Sequence, residues 1–231
     1  MKTKIWMYSF VFAGVFMLIF QSCKKEDDDI DPPVSTTVTD YDGNVYNTVT
    51  IGTQTWMKEN LKVTHYCDGS AIPNIIDAGQ WEALTTGAYC NYNNDENYVA
   101  TFGRIYNWHA VNDSRKIAPA GWHVPTEAEW NTLINFLGGD SVAGGKLKET
   151  GTTHWLYFNI GATNETGFTA LPGGERSYAG VYSKLGEAGT WWTSSFSGAY
   201  AWQWIIGSYG SDIGEQGSSM NYGFSVRCVK D

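Results

Sequence analysis

The sequence has little cysteine, little proline and no excess of positive charge, and these shortages exclude several classes of protein. It contains four Cys and six Pro among 231 residues. No C-x-x-C motif and no His/Cys pair with zinc-ligand spacing occurs, so a structural zinc site is not expected. Lys and Arg number 15 against 24 Asp and Glu, without a basic patch, which argues against nucleic-acid binding.

Aromatic residues and glycine are abundant instead. Aromatic residues make up 15% of the chain, and there are 26 Gly. This mixture fits a loop-rich, Trp-packed extracellular module better than a helical bundle. The chain length suits a single domain with a sizeable core, which we place at residues 40–231.

The first residues have the layout of a secretory signal. Lys2 and Lys4 precede an uncharged apolar run, Ile5 to Phe20, which is short for a membrane-spanning helix of about 20 residues. The sequence QSC follows, and Cys23 resembles a bacterial lipidation site. Residues 1–22 are therefore predicted to be a lipoprotein signal peptide. The alternative is a secreted protein with an incidental cysteine.

Residues 23–39 are predicted to be a disordered acidic tether, because a charge run followed by Pro and small polar residues cannot bury apolar surface. Loss of the signal peptide removes two Lys and no acid, and takes the formal net charge from −9 to −11. The stretch SCKKEDDD also resembles the Lys-then-acidic signal of surface lipoproteins of the Bacteroidetes group. The sequence thus predicts a lipid-anchored outer-membrane protein, exposed at the cell surface.

Three further cysteines allow one disulfide and leave one thiol over. The exported context permits a bridge. Cys67 and Cys90 are close in sequence and are slightly favoured as a pair. A Cys90–Cys228 bridge, which would tie the start of the domain to its end, is the alternative.

The pattern of apolar residues predicts strands, then helices, then strands again. Residues 44–61 are rich in Val, Thr, Ile and Trp and read as two strands. A short helix is predicted over Ala78–Thr85, capped by Asp77, and a longer one after Pro125. After Thr152 helical periodicity ends, and four short strands are predicted in the segments GFTALPGG, WWTSSF, AYAWQWII and GFSVRCVK. This order indicates an α+β fold.

The stretch GWHVPTEAEW has a His and two Glu and could be a catalytic or metal cluster. The structural interpretation is stronger: Thr126 and Glu129 form an S/T-x-x-E capping box, and Trp130 begins a buried stripe that continues at Leu133 and Leu137. His123 precedes Pro125 and lies outside the helix, so metal-ligand spacing on one helical face is not met. These residues are predicted to be structural.

Six segments together resemble the Fibrobacter succinogenes major paralogous domain, over about residues 41–231. They are DGNVYNTVTIGTQTWMKENL, GWHVPTEAEW, GGKLKETG, ETGFTALPGG, WWTSS and GFSVRCVKD. That family is similar to the C-type-lectin-like fold of formylglycine-generating enzymes. The resemblance implies two helices flanking a small antiparallel sheet, with long Gly/Ser/Asn-rich loops on one functional face. The paired redox cysteines of those enzymes are absent here, so no enzyme activity is expected.

Binding is the expected role of the loops. Exposed aromatic rings stack on sugars, and the candidates are Tyr178, Tyr182, Trp202 and Tyr209. The loop NYNNDENY offers oxygen ligands for Ca²⁺ at Asn93, Asn94, Asp95 and Glu96, although it lacks the order of a known calcium loop and can equally be a solvated turn. No other cofactor is expected. Arg227 on the last strand is predicted to pair with a carboxylate such as Glu129.

The sequence therefore predicts a non-catalytic cell-surface binding module for carbohydrate or another extracellular polymer. The alternative is a protein–protein or adhesion module that uses the same loop face. An enzyme related to formylglycine-generating enzymes ranks third, because the cysteine pair is missing.

Overall fold

A computed structural model describes residues 36–231. The predicted signal peptide, the lipidation site at Cys23 and the tether up to residue 35 lie outside the described residues. The tether predicted to end at residue 39 stops earlier, because Thr37–Thr39 form a strand that pairs with Val45–Asn47.

Thirteen strands and five helices are described between residues 36 and 231. The strands are β1 (Thr37–Thr39), β2 (Val45–Ile51), β3 (Gln54–Met57), β4 (Tyr89–Cys90), β5 (Ile105–Asn107), β6 (Trp122–His123), β7 (Gly173–Arg176), β8 (Tyr182–Leu185), β9 (Ala188–Ser197), β10 (Tyr200–Gly207), β11 (Ile213–Ser219), β12 (Gly223–Phe224) and β13 (Val229–Lys230). The helices are α1 (Ala78–Glu82), α2 (Val99–Phe102), α3 (Trp108–Val111), α4 (Glu127–Phe136) and α5 (Asp140–Leu147).

The strands form two sheets. The first has the order β1-β2-β3-β13-β6, with antiparallel pairing throughout. The second has the order β11-β10-β9-β7-β12-β5-β4, with β8 beside β7. Its pairs are antiparallel except for β7 and β9, which run parallel. The fold is mixed α/β with mostly strands, so the single small sheet that the resemblance implied is instead two sheets.

The segment GFSVRCVK, predicted as one strand, divides into β12 in the second sheet and β13 in the first. Between them, the backbone of Ser225 and Val226 bonds to Thr190, Trp192 and Leu61 instead of continuing one ladder.

Val229 of β13 pairs with Trp56 of β3 on one side and with His123 of β6 on the other. Antiparallel hydrogen bonds to both neighbours fix the register of this two-residue strand. The end of the chain is therefore held in the sheet that its first strands begin.

Helix α4 forms as predicted. The Thr126 hydroxyl accepts from the Glu129 N–H, and the Glu129 carboxylate accepts from the Thr126 N–H, so the capping box is complete. Trp130 and Leu133 are buried in the core. Gly138 follows with φ 99°, the left-handed conformation that ends a helix. The predicted roles of Thr126, Glu129 and Trp130 are confirmed.

Two other predicted elements differ from the structure. Asp77 caps α1 as predicted, but the helix ends at Glu82 and not at Thr85. The segment GFTALPGG does not become a strand until Gly173. Thr169 has φ 56°, and its N–H donates to the Asn164 side chain instead of to a neighbouring strand. A β-branched residue in this conformation cannot continue a strand.

Helix α5 lies against the loops that follow it because two of its residues lack a side chain. A Cβ at Gly144 would collide with the backbone carbonyl of Asp212, and one at Gly145 with that of Gly161. The Gly145 N–H donates to the Ser211 carbonyl at 2.8 Å. The pair of glycines thus brings α5 into backbone contact with the turn between β10 and β11.

Candidate functional site

The four aromatic residues predicted to bind ligand do not form one site. Tyr178 is half exposed and packs against Tyr222. The Tyr182 hydroxyl donates to the Asn94 side chain at 2.7 Å, within the NYNNDENY loop. Trp202 is half buried and lines a separate pocket with Tyr200 and Gly217. Only Tyr209 has an exposed ring that stacks on another aromatic ring.

Tyr209 belongs to an exposed cluster that the sequence did not predict. Its ring stacks on Tyr157 with centroids 6.0 Å apart and an interplanar angle of 21°, and Phe158 lies 6.5 Å away. The three residues are 62%, 57% and 75% exposed, respectively. We call Tyr157, Phe158 and Tyr209 the aromatic platform. Leu156 and Ile160, 49% and 47% exposed, extend it with aliphatic surface.

Lys148 holds the two segments that carry the aromatic platform. Its side chain is fully buried, and its Nζ donates to the carbonyls of Ile160, Gly207 and Gly210 at 2.8, 3.1 and 2.7 Å. Burial lowers the pKa of Lys148 to about 8. Near neutral pH the ammonium form therefore predominates, and its three N–H groups match the three carbonyl oxygens.

The loop that carries Tyr157 and Phe158 has a constrained backbone. Tyr157 and Asn159 have φ of 65° and 38°, left-handed conformations that non-glycine residues rarely adopt. The Asn159 amide donates to the carbonyls of Glu149 and Gly151 at 2.8 and 2.7 Å, which holds the loop against the end of α5. Such strain persists only where surrounding contacts determine it, and it clusters at ligand sites.

A cleft adjoins the platform at Leu156. It is lined by Tyr98, Phe102, Thr153, His154, Leu156, Leu185 and Gly186. His154 packs edge-on against Phe102, and its Nδ1 lies 2.8 Å from a Glu149 carboxylate oxygen. Apolar rings therefore stand next to an imidazole, a carboxylate and a hydroxyl. That combination offers both stacking surface and hydrogen-bonding groups to a ligand.

The aromatic residues of the platform loop are visible in the sequence, but the sequence does not show which of them are exposed. In the stretch THWLYFNIG, four apolar residues stand in a row and one Asn separates them from the next apolar residue. Helical periodicity has already ended at this point. Trp155 alone of its aromatic residues is buried, and its indole N–H donates to the Ala170 carbonyl. A sequence reading cannot separate this buried Trp from the exposed Tyr157 and Phe158, because no period of 2 or 3.6 orders them.

The predicted calcium ligands make contacts within their own loop and with nearby side chains. Glu96 pairs with Arg104 at 2.9 Å, and this guanidinium holds the pKa of the Glu96 carboxyl below its ordinary value. Asp95 accepts from the Asn97 N–H, and Asn94 accepts from Tyr182. Asn93 adopts φ 50°. In residues 36–231 no group of three or more His, Cys, Asp or Glu side chains is placed to hold a metal ion. Calcium binding stays a prediction that these contacts do not support.

His123 lies outside α4, as predicted, yet its ring still reaches Glu129. Nε2 lies 2.7 Å from a Glu129 oxygen, and Nδ1 lies 2.6 Å from an Asp231 oxygen. Burial alone would lower the pKa of His123, but the two carboxylates raise it above its ordinary value. Since both ring nitrogens are bound to carboxylates, this His links α4 to the chain end.

The predicted pairing of Arg227 with Glu129 is wrong. Arg227 is 1% exposed, and it donates to Asn60 Oδ1 through Nε and Nη2 and to the Phe168 carbonyl through Nη1, at 3.2, 2.9 and 2.7 Å. Its guanidinium also lies 4.2 Å from the centroid of the Phe168 ring. Glu129 is occupied by Thr126 and His123. A neutral amide and an aromatic face therefore replace the expected carboxylate.

Among residues 36–231, neither the favoured Cys67–Cys90 disulfide nor the alternative Cys90–Cys228 disulfide is formed. Cys67, Cys90 and Cys228 are all free thiols. The Cys67 thiol is exposed and donates to the Ala118 carbonyl at 2.8 Å. Cys90 and Cys228 are buried in different core clusters. The closeness of Cys67 and Cys90 in sequence does not bring their sulfurs together, because Cys67 bonds to the segment 115–118 whereas Cys90 pairs with Ile105 in the second sheet.

Comparison with known proteins agrees with the motifs. Among residues 36–231 no helix is both long enough and apolar enough to span a membrane. Neither the curated proteins nor the solved structures gave a match. The model of the Fibrobacter succinogenes major domain matches residues 49–230, which covers the second sheet, the first sheet from the end of β2 onward, α1 to α5 and the aromatic platform. The chain therefore belongs to the Fibrobacter succinogenes major domain family.

Proposed function

We propose that this protein is a non-catalytic binding module that holds a carbohydrate chain on its aromatic platform. The observation that carries the proposal is the exposed stacked pair of Tyr157 and Tyr209, with Phe158 beside it. Aromatic faces stack on the C–H surfaces of sugar rings, and the adjoining cleft supplies polar groups at Thr153 and His154 for hydroxyls. The rigid support from Lys148 lowers the ordering cost of binding.

A glycan array followed by calorimetry tests this proposal. We expect Tyr157→Ala and Tyr209→Ala each to weaken binding about tenfold or more, because truncation of a central aromatic contact costs roughly 1.4 kcal/mol or more. Tyr178→Ala and Tyr200→Ala, which remove exposed tyrosines elsewhere, serve as matched controls. Absence of binding to every glycan, with and without Ca²⁺, would rule out the carbohydrate ligand.

A protein partner is the second candidate, and the aliphatic surface of Leu156 and Ile160 favours it. Sugars gain little from an aliphatic side chain, whereas protein interfaces use mixed aromatic and aliphatic patches. Ile160→Ser, outside the cleft, separates the two candidates: it weakens binding to a protein surface and leaves a stacked sugar largely unaffected. An enzyme related to formylglycine-generating enzymes ranks third, since the required cysteine pair is missing from the sequence.

We also propose that the module is a lipoprotein anchored in the outer membrane through Cys23 and displayed at the cell surface. The support is the sequence order of basic residues, apolar run, QSC and acidic tether. Metabolic labelling with an alkyne fatty acid is expected to mark the wild type and not Cys23→Ala. Protease treatment of intact cells is expected to remove the domain; survival of the domain would place it on the inner side.

The fold is proposed to be C-type-lectin-like. The resemblance implied two main helices with long loops on one face, and α4 and α5 are the two longest helices in residues 36–231. The long connection from Lys148 to Pro172 carries two of the three platform residues. A crystal structure whose α4, α5 and first sheet fail to superpose on a C-type-lectin-like domain would contradict this assignment.

A further inference from the structure

Arg227 is a buried cation whose hydrogen bonds go only to neutral oxygens. Asn60 Oδ1 accepts from Nε and Nη2, and the Phe168 carbonyl accepts from Nη1. In the part of the chain that the structure describes, no ion pair involves this residue. A guanidinium has five N–H groups, so Nη1 and Nη2 each keep one without a protein acceptor. Burial of such a charge without a counterion costs several kcal/mol.

Arg227 and its partner Asn60 line a pocket of about 200 Å³ that is partly open to solvent. We call this the Arg227 pocket. Its other walls include the side chains of Lys58, Glu59, Thr101 and Thr169. None of its lining residues belongs to the aromatic platform or to the adjoining cleft.

The charges around the Arg227 pocket favour an anion. Glu59 is the acidic residue whose charge acts on the pKa of Arg227. Its two oxygens, however, accept from the Asn47 backbone and side-chain N–H groups at 2.8 Å each. Lys58 offsets the charge of Glu59, which leaves that of Arg227 unbalanced. Burial lowers the pKa of Arg227 to about 9, as expected for a cation that lacks a partner.

Thr169 supports a ligand site at the same place. It has φ 56°, a conformation that is rare for a β-branched residue. Its N–H is held by Asn164 Oδ1 at 2.9 Å and its hydroxyl by Asn164 Nδ2 at 3.1 Å, so that one side chain fixes the strained wall of the pocket. Strain of this kind is retained where a ligand is gripped.

We propose that the Arg227 pocket binds the carboxylate group of an anionic ligand. The two remaining N–H groups sit on the two terminal nitrogens, the arrangement that a planar carboxylate can accept with both oxygens. Because Lys58 offsets Glu59, the net charge of the pocket walls is the positive charge of Arg227. A carboxylate on an acidic sugar and one on a peptide terminus share this chemistry. The site is independent of carbohydrate binding at the platform.

Acetate is the probe for the first experiment, and the side-chain Nε–H signal of Arg227 in ¹⁵N NMR is the readout. At constant ionic strength, acetate is expected to shift this signal saturably, whereas the neutral isostere acetamide leaves it in place. Lys58→Met is expected to weaken acetate binding about fivefold, the effect of one partly exposed charge. Lys62→Met, a nearby Lys outside the pocket, is the matched control. These variants leave Arg227 and its core contacts intact.

A linear shift without saturation, equal effects of acetate and acetamide, or equal affinities of the two Lys variants would each overturn the proposal. Once acetate binding is established, galacturonate and N-acetylglycine distinguish the source of the carboxylate. Tighter binding of galacturonate assigns an acidic sugar, and tighter binding of N-acetylglycine assigns a peptide terminus. Silence on the glycan array affects only the platform and leaves this result unchanged.

Discussion

His123 shows how one side chain can belong to a structural cluster and still titrate. The ring lies between the carboxylates of Glu129 and Asp231, which raise its pKa above the ordinary value of about 6.5. Burial would raise the pKa of Glu129, but the Thr126 N–H and hydroxyl, together with His123, lower it. The protonated ring and the ionised carboxylates therefore stabilise the folded state together.

The sign of the pH dependence follows from these two shifts. The stability due to His123 is fully present below its unfolded pKa of about 6.5 and is lost as the pH rises through its raised folded pKa. The part due to Glu129 is present above about 4.5 and is lost in acid. We expect His123→Gln to lower the melting temperature most between about pH 5 and 6.5, and progressively less as the pH rises through the raised folded pKa. The side chains of His123, Glu129 and Asp231 are each about a third exposed or more, so solvent screens their attraction. The effect on the free energy of unfolding therefore stays below about 1 kcal/mol.

Thermal unfolding of both proteins across this pH range checks the prediction. His109→Gln is the control, because its ring contacts the Asn221 amide and not a carboxylate. A His123→Gln effect that is constant from pH 5 to pH 9 would show that the ring acts through packing alone.

The free cysteines make a second prediction about single residues. Cys67 is an exposed residue, and the partial burial of its sulfur raises the pKa of the thiol. We expect one thiol of residues 36–231 to react with a disulfide reagent in the folded protein, more slowly than a free cysteine, because the thiolate is the nucleophile. All three are expected to react after unfolding. A melting temperature that falls on addition of reductant would instead reveal a disulfide.

At the scale of secondary structure, the sequence predicts elements whose signals are local. The capping box and the apolar stripe lie where they were expected, and with Gly138 they define α4 within thirteen residues. The platform loop has no such local signal. Its shape depends on Lys148, whose three acceptors lie 12, 59 and 62 residues away in sequence. Long-range contacts to backbone carbonyls leave no pattern in side-chain type or spacing.

Lys148 gives the prediction that belongs to this scale, since it joins the end of α5 to two loops. Lys148→Met would leave three partly buried carbonyls without this donor, and we expect a loss of about 2–4 kcal/mol in the free energy of unfolding. Binding at the platform is expected to weaken as well, because Tyr157 and Tyr209 lose their common support. Chemical denaturation measures the first effect and calorimetry the second.

Lys146→Met is the matched control on the same helix. Lys146 pairs with the exposed Glu165 at 3.0 Å, and such surface pairs contribute little, so a change within about 0.5 kcal/mol is expected. Equal losses for the two variants would contradict the assigned role of Lys148.

At the scale of the whole molecule, segments that identify the family meet at one buried polar centre. Asn60 Oδ1 accepts from Arg227 and from the Trp191 indole N–H at 2.8 Å, and its amide donates to the Phe102 carbonyl at 2.8 Å. Arg227 in turn binds the Phe168 carbonyl. Apart from Phe102, these residues come from the segments TWMKENL, WWTSS, ETGFTALPGG and GFSVRCVKD. Four of the six family segments, spread along the sequence, therefore each supply one part of a single network.

This convergence explains why the motifs predicted the family and not the contact. A buried Arg is expected to pair with a carboxylate, and the sequence offers Glu129 as that partner. In the folded chain the guanidinium instead contacts the Asn60 amide and the aromatic rings of Phe168 and Trp191. Which of the polar residues faces which is decided by how the two sheets pack, a property that no single segment encodes.

Loss of this centre is expected to destabilise the whole domain. Asn60→Ala leaves the buried guanidinium and the Trp191 N–H without their acceptor, and we expect a loss of about 3–5 kcal/mol, a large fraction of the stability of a typical domain. Arg227→Met removes the charge together with its desolvation cost and keeps apolar contact with Phe168, so a smaller loss is expected. If equilibrium denaturation showed the Arg227→Met protein to be the less stable of the two, the charge itself would be stabilising. The double variant is expected to be no worse than Asn60→Ala alone, because residues that share one network are coupled and their effects do not add.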